Sequence, residues 1–212
     1  MVVGLGTGST AAHVVEGLAA RVAGGLRVVG IPTSERTAAQ ARRLGIPIGT
    51  FAEHQRLDLT IDGADEVQLG TLDLIKGLGG ALLREKIVAA ASDRLVIVVD
   101  QEKLVEQLGE HTPIPVEVTQ FGWQATAVAL AKLGCVPERR YMAGEQPYVT
   151  DGGNFIMDCR FGPLADPGIT EQQLAITVGT VESGLFVGRS SMVVVASMAG
   201  IEVLTPPVRH GA

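Results

Sequence analysis

Cysteine is nearly absent from this chain. Only Cys135 and Cys159 occur in 212 residues, without metal-ligand spacing, which excludes a disulfide framework and a zinc site and suits a reducing cytoplasm. Aromatic residues make up 4%, so the core must come from Ala, Val, Leu and Ile. At 46% hydrophobic and 19% charged, the composition supports such a core and excludes disorder. No apolar run reaches the length of a membrane span and no basic, signal-like segment opens the sequence, so neither a membrane nor secretion is expected. Basic charge is short too. With 17 Lys+Arg against 23 Asp+Glu the net charge is −6, which excludes a nucleic-acid binder that neutralises a phosphate backbone with a basic face. Any anion must be held locally. Lysine appears only at Lys76, Lys86, Lys103 and Lys132, and asparagine only at Asn154.

Glycine, by contrast, is abundant: 27 residues of 212, against an ordinary usage of roughly 7%. There is no G-X-Y repeat and no Gly/Ser run, so neither a collagen helix nor a flexible linker accounts for it. The excess must serve particular backbone conformations.

The first half alternates β-branched runs with helical segments. Strands are predicted at Met1–Leu5, Arg27–Ile31, Leu57–Ile61 and Leu95–Val99, and helices at Thr10–Val22, Glu35–Leu44 and Ala81–Ala91. Ser34 is a plausible N-cap and Gly45 a C-terminal stop for the second helix. Strands separated by helices of this length mean βαβ units and a Rossmann-like, mostly parallel sheet. His111-Thr-Pro-Ile-Pro-Val116 has two prolines in three positions and reads as a crossing segment. Beyond it a helix at Gly122–Leu133, short strands at Tyr148–Thr150 and Phe155–Cys159 around a hairpin turn Asp151-Gly-Gly-Asn154, a helix near Thr170–Leu174 and a strand near Gly184–Val187 suggest a smaller α+β lobe. Met192–Ser197 reads as a buried strand returning to the first sheet. The expected division is residues 1–116 plus 190–212 for the Rossmann-like domain and 117–189 for the lobe.

Four segments carry chemistry. Gly4-Leu-Gly-Thr-Gly-Ser-Thr10 lies between a strand and a helix, where glycines permit a tight turn and the helix amides face an anion such as a phosphate. A Ser/Thr-capped turn explains that loop alone equally well. The dinucleotide fingerprint needs a third glycine where Ser9 stands and an acid ending the second strand, so NAD is not expected. Asp62-Gly-Ala-Asp-Glu66 follows the third strand on the same sheet edge; its carboxylates suit proton transfer, while a solvated turn is the bland reading. Lys76-Gly-Leu-Gly-Gly80 runs into a helix carrying Glu85 and Lys86, and Asp100-Gln-Glu-Lys103 follows the next strand. Glu85 alone would be a helix-dipole acid and Lys103 alone a surface lysine. Together on one sheet edge they point to a site for a small anionic ligand.

The series GTGST, DGADE, KGLGGALLREK, DQEK, PIPVEV, VTDGGN and ESGLF, in this order over residues 6–186, closely resembles the ribose-5-phosphate isomerase A family along essentially the whole chain. Members of that family carry a further, largely helical stretch before the first strand, whereas here the glycine loop begins at Gly4. The resemblance implies interconversion of D-ribose 5-phosphate and D-ribulose 5-phosphate through an enediol, in the non-oxidative pentose phosphate pathway, by a cytoplasmic homodimer or homotetramer without metal or nucleotide cofactor. It implies that Glu85 is the proton-shuttling base, assisted by Asp62, Asp65 and Lys76. Substrate contacts would come from Thr7, Gly8, Ser9 and Thr10, from Asp62, Gly63, Ala64 and Asp65, from Lys76, Gly77, Leu78 and Gly79, and from Lys103. A non-catalytic sugar-phosphate sensor on the same scaffold would keep the phosphate loop and need neither Glu85 nor Lys76. A deaminase or acyl-CoA transferase would need its own ring-opening histidine or nucleophile; His13 lies on the helix after the glycine loop, and His54, His111 and His210 have no motif around them.

Overall fold

A computed structural model describes residues 1–207. In chain order the elements are β1 (Val2–Leu5), α1 (Ser9–Ala23), β2 (Val29–Pro32), α2 (Glu35–Arg43), β3 (Leu59–Asp62), β4 (Glu66–Gln68), β5 (Leu74–Ile75), α3 (Leu82–Ala90) and β6 (Leu95–Asp100). A 3-10 turn, Gln101–Lys103, leads to β7 (Leu104–Val105), β8 (Ile114–Val118), α4 (Trp123–Ala131), β9 (Val136–Arg139), β10 (Phe155–Arg160), α5 (Pro167–Ala175), β11 (Thr180–Ser183), β12 (Leu185–Phe186), β13 (Met192–Ser197) and β14 (Gly200–Leu204). His210 and the last part of the 190–212 segment lie outside the described residues.

The six-stranded sheet has the order β14-β13-β6-β3-β1-β2 and is parallel except for β14, which joins by a hairpin to β13. It is the Rossmann-like sheet expected, with Met192–Ser197 returning to it. Strand β1 pairs with β2 on one side and β3 on the other, so the chain reverses direction across the sheet there. The crevice outside the carboxyl ends of β1 and β3 is where such sheets bind ligands. Val3, Leu5, Val15 and Ala41 pack together near β1, and Ile97, Val99, Val193 and Val195 form an aliphatic core farther along the sheet, as the scarcity of aromatics requires. Ser34 caps α2, accepting from the Thr37 amide at 3.1 Å, and Gly45 follows that helix at φ 77°.

A second sheet, order β11-β8-β10-β9, is antiparallel and forms the smaller α+β unit with α4 and α5. Here the crossing segment anticipated around Pro113 and Pro115 proves instead to contain β8, a central strand buried along its whole length. The strand tolerates Pro115 because Gly184, which follows β11 and donates to Pro115 O at 2.7 Å, needs no donor in return: its own carbonyl takes the Lys76 amide. The strand expected at Tyr148–Thr150 does not form. The Asp151-Gly-Gly-Asn154 turn is present, closed by the Thr150 amide on the Asn154 carbonyl, but the buried Glu117 carboxylate binds the Thr150 hydroxyl at 2.8 Å and the Asn154 amide at 2.9 Å. Side chains, not a strand ladder, hold that segment.

A third small sheet, order β12-β5-β4-β7, ties the two together with strands of two or three residues, too short for periodicity to reveal. Its rigidity depends on Glu66, whose buried carboxylate accepts the Gly109, His111 and Thr112 amides at 2.6–2.8 Å. Removing this acceptor leaves buried donors without a partner, so Glu66→Ala is expected to cost on the order of 3 kcal/mol in urea unfolding. A loss below about 1 kcal/mol would show that water replaces the carboxylate.

Candidate active site

The loop leaving β1 must pass very close to β3. A Cβ on Gly6 would stand 2.1 Å from Asp62 Oδ1 and 2.6 Å from the Asp62 Cα, so only glycine fits. That proximity lets the Thr7 amide donate to Asp62 Oδ1 at 3.1 Å. The Thr7 side chain turns the other way. Its hydroxyl lies within 2.7–3.0 Å of the Thr33, Ser34 and Thr37 hydroxyls, a buried cluster that fastens the loop to the start of α2. At the start of α1 the first intrahelical bond is from the Ala12 amide to Gly8 O, and no side chain caps the helix. The amides of Ser9, Thr10 and Ala11 therefore stay free for an anion, at the positive end of a 15-residue helix.

Lys76 follows β5, its amide bonded to Gly184 O at 2.8 Å. Its ammonium lies 2.9 Å from Asp62 Oδ2 and 3.5 Å from Glu85 Oε2, and it donates to Gly63 O. All three side chains are at most 3% exposed. Asp62 Oδ1 also accepts the Gly63 amide at 2.8 Å. Asp65 accepts the Leu78 amide at 2.9 Å, which binds the DGAD loop to the KGLG turn. Two buried carboxylates and a third close by face one ammonium, so the cluster tends to keep an extra proton. Burial pushes the Glu85 carboxyl up to about 8, with Lys76 pulling it down and Asp62 pushing it further up. Burial likewise raises Asp65, against the Leu78 amide and Lys76. For Lys76 burial acts to lower the pKa, and the charges of Asp62 and Glu85 outweigh it, holding the ammonium above its ordinary value.

These groups surround a cleft of about 470 Å³, its open mouth included. Of the residues anticipated from sequence, Thr7, Gly8, Ser9, Thr10, Gly63, Ala64, Asp65, Lys76, Gly77, Gly79, Glu85 and Lys103 line it, joined by Ala11. Asp62 and Leu78 do not. Asp62 is sealed beneath the floor, and Leu78 contributes its amide to Asp65 while its side chain faces outward. One supporting residue was not anticipated: Arg140, after β9, donates to the Gly77 and Leu78 carbonyls at 2.9 and 3.1 Å and pairs through two nitrogens with Asp158. No local pattern marks it, because only the antiparallel sheet carries it to the glycine turn. His13, His54 and His111 line no part of the cleft. Among the described residues no group of three His, Cys, Asp or Glu is arranged to hold a metal ion.

Comparison with known proteins gives one answer. The family model for ribose 5-phosphate isomerase A (phosphoriboisomerase A) matches residues 29–200. A ribose-5-phosphate isomerase A from Gloeobacter violaceus is 67% identical over 206 residues, 97% of this chain and 89% of the relative, and one from a Synechococcus species is 54% identical over 96% and 89%. Among solved structures, ribose 5-phosphate isomerase A from Methanocaldococcus jannaschii is 40% identical with a TM-score of 0.92, covering 97% of this chain and 91% of that one. A D-ribose-5-phosphate isomerase in complex with phospho-erythronic acid is 36% identical with a TM-score of 0.93, covering 97% and 90%.

The raised Glu85 carboxyl has a measurable consequence. The folded chain holds this proton up to about pH 8, the unfolded chain only to an ordinary 4.5, so ionisation costs the wild type stability as pH rises through that window. Glu85→Gln escapes the cost. Its melting temperature relative to wild type is expected to climb between pH 5 and pH 8, by roughly 2–4 °C for each kcal/mol. A difference that stays constant across the window would place Glu85 at an ordinary carboxylate pKa.

Proposed function

The chain belongs to the ribose 5-phosphate isomerase A family, and on that premise we propose how its residues divide the reaction. It is an aldose-ketose isomerase that interconverts D-ribose 5-phosphate and D-ribulose 5-phosphate. The conversion moves a proton between C2 and C1 through an enediol, with a compensating proton passing between O1 and O2. The observation that carries the assignment is the Lys76 ammonium held between Asp62 and Glu85 on the floor of a cleft that opens onto the free amides of α1.

Glu85 is the carbon base. It lines the cleft, its Oε2 has no hydrogen-bond donor, and a carboxyl poised near 8 can take and return a proton at neutral pH. Lys76 stabilises the negative charge that develops on the enediolate oxygens, aided by the Gly77–Gly79 backbone. Asp65, raised by burial and lining the cleft, passes hydroxyl protons and helps open the furanose ring. Asp62 holds Lys76 rather than the sugar, since both of its oxygens are engaged below the floor. The phosphate sits against Ser9, Thr10 and the α1 amides, with Lys103 adding charge, and this remote grip fixes the reacting carbons. The structural relative bound to phospho-erythronic acid supports a sugar phosphate as the ligand.

The enzyme acts in the non-oxidative pentose phosphate pathway, in the cytoplasm, as a homodimer or homotetramer. Two free, buried cysteines support the reducing compartment. Support for self-association comes from exposed apolar side chains such as Phe121, Ile176 and Val178, each more than four-fifths exposed. Light scattering giving one chain mass would overturn the oligomer.

Glu85→Gln is expected to lose at least roughly 10²–10⁴-fold in kcat and all exchange of the C2 proton with deuterated solvent, while ribose 5-phosphate still binds. Near-wild-type turnover would remove Glu85 from the mechanism. In the wild type, kcat/KM should rise with pH up to about 8, because only the ionised carboxylate takes the proton. Asp65→Asn should lower kcat; an effect on KM alone would contradict its proton-transfer role.

A further inference from the structure

Phe186 is the only aromatic side chain among the described residues that is wholly removed from solvent. It belongs to β12, which pairs with β5 immediately before Lys76. The core around it is aliphatic, and a leucine or methionine would serve packing alone. What distinguishes its position is charge. The Lys76 ammonium lies 5.6 Å from the ring centroid and the Lys86 ammonium 5.0 Å, both within the range of a cation over an aromatic face.

Two ammonium groups meeting at one buried ring would repel unless each were separately neutralised. Lys76 has Asp62 and Glu85; Lys86 has Glu182 at 2.8 Å and Glu171 at 3.2 Å, reached from β11 and α5. The Lys76 ammonium already donates to Gly63 O and pairs with Asp62 Oδ2 at 2.9 Å and Glu85 Oε2 at 3.5 Å. A further acceptor would compete with these groups for it, whereas the face of a ring attracts the cation without taking a hydrogen bond. Lys86 follows Glu85 in α3, so its attachment to the same ring and to Glu171 and Glu182 also fixes the rotation that turns Glu85 toward Lys76.

We propose that Phe186 is a positioning residue for the isomerisation, the face of its ring holding the Lys76 ammonium in its working place between Asp62 and Glu85. This rests on the catalytic role assigned above to Lys76. The test replaces Phe186 in the full chain with phenylalanine bearing one, two or three ring fluorines, which barely change its volume and progressively drain the negative face. The expected result is a stepwise fall in kcat, roughly three- to thirtyfold in total, with KM for ribose 5-phosphate unchanged. The other charges facing Lys76, namely Asp62, Asp65, Glu85 and Lys86, are the same throughout the series. Phe186→Leu, which removes the ring altogether, should show at least the same kcat loss with KM unchanged.

A kcat that stays flat across the fluorinated series overturns the proposal, as does a loss that follows the melting temperature rather than the fluorine count. Lys76→Met separates the two levels. If it is inactive while the fluorinated series is flat, only the role of Phe186 falls; if it turns over normally, the catalytic reading falls with it.

Discussion

An ammonium group held out of water among carboxylates organises this molecule. Lys76 cannot be buried without partners, and its partners come from different parts of the chain: Asp62 ends β3, Gly63 begins the following loop and Glu85 rides on α3. Each is fixed by something else. Asp62 is clasped by the amides of Thr7 and Gly63, the Lys76 backbone hangs from Gly184, and the glycine turn after it is held by Arg140. The cluster is thus a meeting point of three sheets, and its geometry is set before any substrate arrives.

The same arrangement reconciles an acidic protein with an anionic ligand. A net charge of −6 gives no long-range attraction for phosphate, so the phosphate grip proposed above depends on the short-range field at the start of α1. Leaving that helix without a side-chain cap is what frees its amides. Thr7, which could have folded back as a cap, is instead tied into the hydroxyl cluster with Thr33, Ser34 and Thr37. The cleft therefore offers two opposite kinds of surface: donors without acceptors at the α1 end, acceptors in excess around Lys76.

Much of the fold was legible because its largest sheet is built from elements with clear punctuation. Ser34 and Gly45 bracket α2, and the glycine-rich segments fall at strand ends where ligands bind. What sequence could not divide was labour between similar residues. Asp62 and Asp65 stand in one short motif, yet only tertiary packing sends the first beneath the floor and the second to the wall. Strand β8 was hidden by Pro115, whose missing amide is harmless because the carbonyl beside it, that of Gly184, is taken by the Lys76 amide. Glu66, Glu117 and Arg140 bind backbone or side chains distant in sequence, and nothing in their neighbours announces it. Family resemblance supplied the roles that composition and spacing left open.

Lys76 is suspended from the carbonyl of Gly184, and the ring of Phe186 lies beneath its charge. A hundred or so residues separate the two halves of this junction, although they are adjacent in the third sheet. On the ribosome, then, the first half emerges with every proposed catalytic side chain already synthesised before the segment that anchors Lys76 exists. The reactive floor closes only when the penultimate stretch of chain docks across β5. A chain that stops before Gly184 lacks both the carbonyl that holds the Lys76 backbone and the ring that lies against its charge.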